Sequence, residues 1–205
     1  MKSLTLFTCL LLFCSISHSQ EMAEDSAGSK IGITFSSFGK NDLIRSEDLI
    51  GDASYSGDQF FTVGLTYLHP INKWLFFESG IEYSKHTIVI DPNLPPDIDS
   101  EPYKSDFSLI NIPLALRANF LRYFFINGGL LIDIDASKES AIDSQTGFGG
   151  LLGIGANYDF KCGASIFVNP YIKSHALLPF SAEDNHQRLW ESGVRIGLTY
   201  NLNRK

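Results

Sequence analysis

The sequence has few of the residues that would cross-link it, and two of its three cysteines, Cys9 and Cys14, lie within the first twenty positions. If that segment is removed only Cys162 remains, so no internal disulfide can staple the fold. Basic residues are also scarce. There are 16 Lys and Arg against 23 Asp and Glu, with no basic cluster, which excludes nucleic acid as a partner. The first apolar run is too short for a spanning helix, and no stretch carries the period of an amphipathic helix. No serine stands in a nucleophile-elbow pattern, no histidine pair has zincin spacing, and the glycine-rich stretch Gly147 to Gly155 reads as a strand with no helix to make a phosphate cradle. What the chain does have is 16 Phe, 8 Tyr and 17 Gly in 205 residues, a bias toward strands and membrane interfaces.

Residues 1–19 read as a secretory signal peptide. Lys2 is followed by the apolar run Leu4, Leu6, Phe7, Leu10, Leu11, Leu12 and Phe13, with small residues Ser17 and Ser19 before the expected cut. Phe13 stands where a lipobox needs a small residue, so Cys14 does not read as a lipidation site. Loss of Lys2 leaves 15 basic against 23 acidic residues, a balance of −8. Residues 20–29 form a short polar lead, and 30–205 form one domain.

In that domain apolar residues alternate with polar or small ones, which predicts strands at about 30–38, 59–69, 74–90, 105–120, 123–136, 147–160, 164–175 and 188–202. The connections alternate in length. Short turns fall at Pro70 to Lys73, Leu121–Arg122 and Lys161 to Gly163. Long polar loops fall at Gly39 to Asp58, Asp91 to Lys104, Ser137 to Thr146 and Ala176 to Gln187. An even strand count with short turns at one end and long loops at the other predicts an all-β fold: a single eight-stranded antiparallel up-and-down transmembrane β-barrel with short periplasmic turns and long extracellular loops. Pro113 and Pro170 inside strands predict local bulges.

The second, third, fourth, fifth and last of these strands each have one oily and one polar face. The polar face carries Glu78, Glu82, Arg117, Asp133, Asp135, Lys173, Glu191 and Arg195, a set of both signs that suits a narrow lumen filled with neutralising contacts. Aromatics crowd beside the short turns, namely Tyr67, Trp74, Phe120, Tyr123, Tyr158, Phe160 and Tyr200, as an interfacial girdle would. The ten steps from Trp190 to Tyr200, at roughly 3.3 Å each and a tilt of about 40°, project to about 25 Å, the height of an outer-membrane apolar band. Eight strands leave an interior that side chains can fill, which argues against a wide diffusion pore.

The segments Asn111-Ile112-Pro113-Leu114, Asn127-Gly128-Gly129, Gly147-Phe148-Gly149-Gly150 through Gly153-Ile154-Gly155, and Gly193-Val194-Arg195-Ile196-Gly197-Leu198 resemble the small outer-membrane β-barrel proteins of Bacteroidota. These are often described as PorT-like, or as the outer-membrane protein β-barrel domain. The resemblance runs over essentially the whole mature chain and implies an outer-membrane location, with no activity attached to most members.

The inward charges are read as a structural network, since the lumen leaves a substrate little room. The acidic loops, with Asp42, Glu47, Asp48, Asp52 and Asp58 in the first and Asp91 to Glu101 in the second, lack EF-hand spacing and read as solvated surface. His175 and His186 flank the last loop with Glu183 and Asp184 between them, and Ser174–His175 is the other cluster that a rim enzyme could use. His69 reads as an ordinary interfacial residue. The expectation is a non-enzymatic outer-membrane barrel without cofactor or metal, whose partners are outer-membrane lipid and a protein met by the loops. The oligomeric state stays open. The alternatives are a barrel enzyme acting on lipid or peptide at the loop rim and a soluble lipocalin-like barrel with the oily face inward.

Overall fold

A computed structural model describes residues 28–44, 54–92, 101–137, 142–181 and 186–203. The signal segment, most of the polar lead, Glu47, Asp48 and Asp52, the stretch 93–100, and Glu183 and Asp184 lie outside the described residues.

Eight strands follow one another: β1 (Lys30–Ile44), β2 (Ser54–Pro70), β3 (Leu75–Asp91), β4 (Tyr103–Phe120), β5 (Phe124–Asp135), β6 (Gly147–Asp159), β7 (Ala164–Pro179) and β8 (Arg188–Asn201). Each pairs antiparallel with the next, and β1 pairs with β8, so the sheet closes into a barrel without free edges. Short connections lie at 71–74, 121–123 and 160–163, and the longer ones all lie at the opposite end. The first short turn is held by Asn72, whose Oδ1 accepts from the backbone N–H of Trp74 and Leu75 at 3.0 and 2.8 Å. In the second, Leu121 and Arg122 both adopt positive φ, which lets the chain reverse within three residues.

The alternation of the sequence becomes the two faces of the wall. Outward, every strand exposes large apolar side chains, among them Ile33, Leu65, Ile81, Leu116, Leu130, Leu152, Val168 and Leu198, one from each strand in order. Inward lie charges, amides and rings that are almost wholly buried. The inner face of β6 contributes little bulk: a Cβ on Gly149 would meet the Asp133 carboxylate, one on Gly153 the amides of Asn127 and Asn169, and one on Gly155 the ring of Phe125. These glycines are the space into which neighbouring side chains fit.

Three strands run further than their alternation suggests. In β1 the register shifts between Ser37 and Lys40, with Phe38 at φ 59°, and the strand resumes to Ile44. In β2 it shifts between Gly57 and Gln59, so the strand begins at Ser54. In β7 two extra residues lie opposite Phe148 and Gly150, with Ala176 at φ 46°, and pairing continues to Pro179. All three bulges lie toward the long-loop end. A bulge breaks the period of two, so the sequence pattern loses phase there although pairing goes on. Asp42 and Asp58 therefore sit in strands and not in the first loop, and Asp58 pairs with Lys104 at 2.7 Å.

The expected bulges at Pro113 and Pro170 do not occur. Pairing lapses on one side of each, between Ser79 and Glu82 opposite Pro113 and between Gly153 and Ala156 opposite Pro170, and resumes in the same register. At the second lapse Asn169 supplies the donor that proline lacks: its Nδ2 donates to the carbonyl of Ile154 at 3.1 Å.

Near the short-turn end the ring of Phe167 lies over Gly197, where a Cβ would collide with it. Gly197→Ala should therefore destabilise the barrel by about 1–3 kcal/mol through overpacking, and Phe167→Leu in the same chain should recover part of the loss. Urea unfolding of the refolded barrel followed by tryptophan fluorescence checks both.

Candidate functional site

From the short-turn end upward, the lumen is a stack of polar layers closed by an apolar one. At the bottom, Lys30 Nζ donates to Asp159 Oδ1 at 2.6 Å and to Ser165 Oγ at 3.0 Å. Above it, Arg117 lies over the ring of Phe125, 3.5 Å from its centroid, and donates to Asn119 and Asn157 at 3.2 and 2.9 Å. Although buried, Arg117 is held by amides and a ring rather than by a carboxylate.

The middle layer is the ion-pair network. Arg195 Nη2 donates to Glu78 Oε1 at 2.5 Å and to Asn169 Oδ1 at 2.9 Å, while its Nη1 reaches Glu82 Oε1 at 3.5 Å. Lys173 Nζ donates to Glu82 Oε2 at 2.6 Å and lies 3.9 Å from Glu191 Oε1. The Tyr171 hydroxyl donates to that same Glu191 oxygen. Asn169 and Asn127 extend the layer: Asn169 Nδ2 donates to Asn127 Oδ1 at 3.2 Å, and Asn127 Nδ2 to Glu78 Oε2 at 3.4 Å. These groups come from β2-flanking β3, from β5, and from β7 and β8, so the network spans the lumen and ties opposite walls together.

The third layer holds two imidazoles. His175 Nδ1 is 3.1 Å from Asp133 Oδ1, and Asn111 Nδ2 donates to the same oxygen at 2.7 Å. His86 is stacked between Phe60 and Phe107 at centroid distances of 5.7 and 5.1 Å. The top of the lumen is apolar. Ile88, Ile90, Phe107, Leu109 and Leu189 form a buried cluster joined by Ile142 from the β5–β6 connection. Gln145 fastens that connection down: its Nε2 donates to the Gln187 carbonyl at 2.7 Å, and its Oε1 accepts from the Leu189 N–H at 3.0 Å, much as an added strand residue would.

Of the residues singled out in the sequence, Glu78, Glu82, Lys173, Glu191 and Arg195 meet in one network, whereas Arg117 and Asp133 stand in the layers below and above it. Asp135 does not join. It lies where β5 gives way to the loop, and its carboxylate accepts from the backbone N–H of Ser137 and Gln145 at 2.9 and 3.3 Å. His175 and Ser174 are not at a rim but buried, because the β7 bulge carries the strand past them. The girdle residues Tyr67, Trp74, Tyr123, Tyr158, Phe160 and Tyr200 are exposed at the short-turn end, with Tyr123 stacked on Tyr158, while Phe120 is half-buried against Phe124. His69 stands among them, 3.3 Å from Ser29 Oγ.

Sequence reasoning passed over Tyr171, His86, Asn111, Asn127 and Asn169 as network members. Their phase was the available signal: Tyr171 and Asn169 fall in step with Lys173, and His86 in step with Glu82. The apolar top layer carried no such signal, because oily residues on the inner face contradict the polar-inside rule.

No family model matches the chain, and no curated protein matches it in sequence. Among solved structures it is similar to the outer membrane protein OprG from Pseudomonas aeruginosa, with a TM-score of 0.50 at 15% identity over 85% of this chain and 97% of that one. The likeness is one of fold. It is also similar to the outer membrane protein AlkL in lipid bilayers, with a TM-score of 0.47 at 14% identity over 91% of this chain and 98% of that one. A third similar structure is the translocator domain of the autotransporter NalP from Neisseria meningitidis, with a TM-score of 0.37 at 12% identity over 98% of both chains.

Loss of Arg195 removes the cation that Glu78 pairs with and one of the two that Glu82 pairs with. Arg195→Met should destabilise the barrel by about 3–5 kcal/mol, and Arg195→Met with Glu78→Gln should lose less than the sum of the two single changes. Urea midpoints of the four proteins, refolded into the same detergent, provide the cycle.

Proposed function

We propose that the protein is an outer-membrane barrel without catalytic activity, exported by its N-terminal signal and related to the PorT-like small barrels of Bacteroidota. It works as a filled membrane wall that presents its long loops to a protein partner outside the cell. The observation that carries this reading is the polarity of the closed wall. All eight strands expose aliphatic side chains outward, while Glu78, Glu82, Asp133, Lys173, Glu191 and Arg195 are buried inside. A surface of that kind in water would leave a large apolar area unburied, whereas lipid covers it at no such cost.

The exposed aromatics beside the short turns support an interface there, with the turns on the periplasmic side and the loops outside. The lumen supports a closed wall in preference to a pore, since charged layers fill its middle and an apolar cluster fills its upper end. The non-enzymatic reading draws on the burial of Ser174 and His175, which removes one of the two clusters that a rim hydrolase or acyltransferase would use. No cofactor enters this reading.

Fractionation with gel mobility before and after boiling tests location and fold together. A heat-modifiable band in the outer-membrane fraction is expected, and a soluble protein with unshifted mobility would instead make this a water-soluble barrel. Leu152→Arg separates the two readings in a second way. At mid-height of a lipid-facing wall it should cost about 2–4 kcal/mol in vesicles, while on a solvated surface it would be neutral or would improve solubility.

A further inference from the structure

We propose that the third lumen layer, together with Glu191 of the layer below it, is a binding site for one divalent transition-metal ion of the zinc or copper class, with His86, His175 and Glu191 as ligands and Asp133 behind His175. His86 Nε2 lies 3.4 Å from Glu191 Oε2, and His175 Nε2 lies 3.8 Å from the same oxygen. All three side chains are at most 1% exposed, and among the described residues none of these three atoms has a hydrogen-bond partner. A single unpartnered polar atom in a buried place is costly, and here two lie within 3.8 Å of a third, so that one cation bound to all of them satisfies them together.

The surroundings hold each donor in place. Phe60 and Phe107 clamp the His86 ring between nearly parallel faces, at interplanar angles of 19° and 17°. Asp133 stands 3.1 Å from His175 Nδ1 and is itself held by Asn111 Nδ2 and by the Ala176 N–H at 2.7 and 3.3 Å. A carboxylate behind an imidazole is the arrangement that sets the tautomer and turns the Nε2 lone pair toward a metal. The other Glu191 oxygen is engaged by Tyr171 and faces Lys173, which leaves Oε2 for the site.

Two imidazoles and a carboxylate favour zinc or copper over calcium or magnesium, which take oxygen shells. Bonds of about 2.0–2.1 Å in a tetrahedral shell put neighbouring ligand atoms about 3.3 Å apart. The observed spacings of 3.4 and 3.8 Å exceed that by about 0.1 and 0.5 Å. Accordingly, among the described residues no three such groups are already drawn up to an ion's position, and binding closes the site by a small movement of the His175 ring. The apolar cluster above and the Glu82, Lys173 and Arg195 layer below leave an ion entry only while the barrel folds or opens, so a loaded ion resists chelators.

The test uses the full barrel carrying Cys162→Ser, to remove an exposed thiol, refolded in detergent with one equivalent of Zn2+ or Cu2+ and then passed through EDTA. We expect about one ion per chain by elemental analysis, lost in His86→Gln and in His175→Gln but kept in His69→Gln, with Asp133→Asn loosening binding about 10–100-fold. Heat-modifiable mobility confirms that each variant is folded. The Cu2+-loaded parent is read independently of these variants, and its electron paramagnetic resonance should show coupling to two imidazole nitrogens. A parent that retains no ion, equal retention by folded His86→Gln and His175→Gln, or a copper spectrum without imidazole coupling overturns the site and leaves an adventitious ion only, or a proton shared between the histidines and Glu191.

Discussion

Closing eight strands on themselves sends every second side chain into a space only a few side chains across, and what fills that space governs the rest of the molecule. Water cannot satisfy charges there, so each charge must find a partner on another wall. Glu82 does so through Lys173 and Arg195, Glu78 through Arg195 and Asn127, and Glu191 through Tyr171 and Lys173. The same crowding explains the glycines of β6, which contribute no bulk so that Asp133, Asn127, Asn169 and Phe125 can reach across.

The ends of the barrel follow a different rule from its middle. At the short-turn end the closure is polar and aromatic, with Lys30 tied to Asp159 and the rings of Phe125 and Phe167 set edge to face. At the long-loop end it is apolar, and a loop residue, Ile142, completes it. The three bulges cluster toward that second end, where the wall stops being a regular cylinder and the longer strands β2, β3 and β4 extend beyond β5 and β6. A bulge re-aims the residues around it, which is how Ser174, His175 and Ala176 all come to be buried in succession.

Much of the candidate site could be read before the fold was known, because an alternating strand declares its faces one residue at a time. Glu78 and Glu82 are four apart and Glu191 and Arg195 are four apart, and both spacings keep a pair on one face. Which charges meet was another matter. Arg117 belongs to the same face of β4 as Asn111, yet it stacks on Phe125 instead of pairing with a carboxylate. Asp135 belongs to the same face of β5 as Asp133, yet it turns to the loop backbone. Height in the barrel separates these residues, and height depends on the register between strands.

The sequence by itself determined the strand count, the order of short and long connections and the two-faced wall, because each is written locally in the period of the side chains and in the turn residues. Only the tertiary structure decided where the strands continue past their bulges, how the prolines sit without one, that the upper lumen is apolar, and that His86, His175 and Asp133 form a layer against Glu191 of the layer below. The physical reason is closure. The register that joins β1 to β8 is a relation among all eight strands at once, and no single strand carries it.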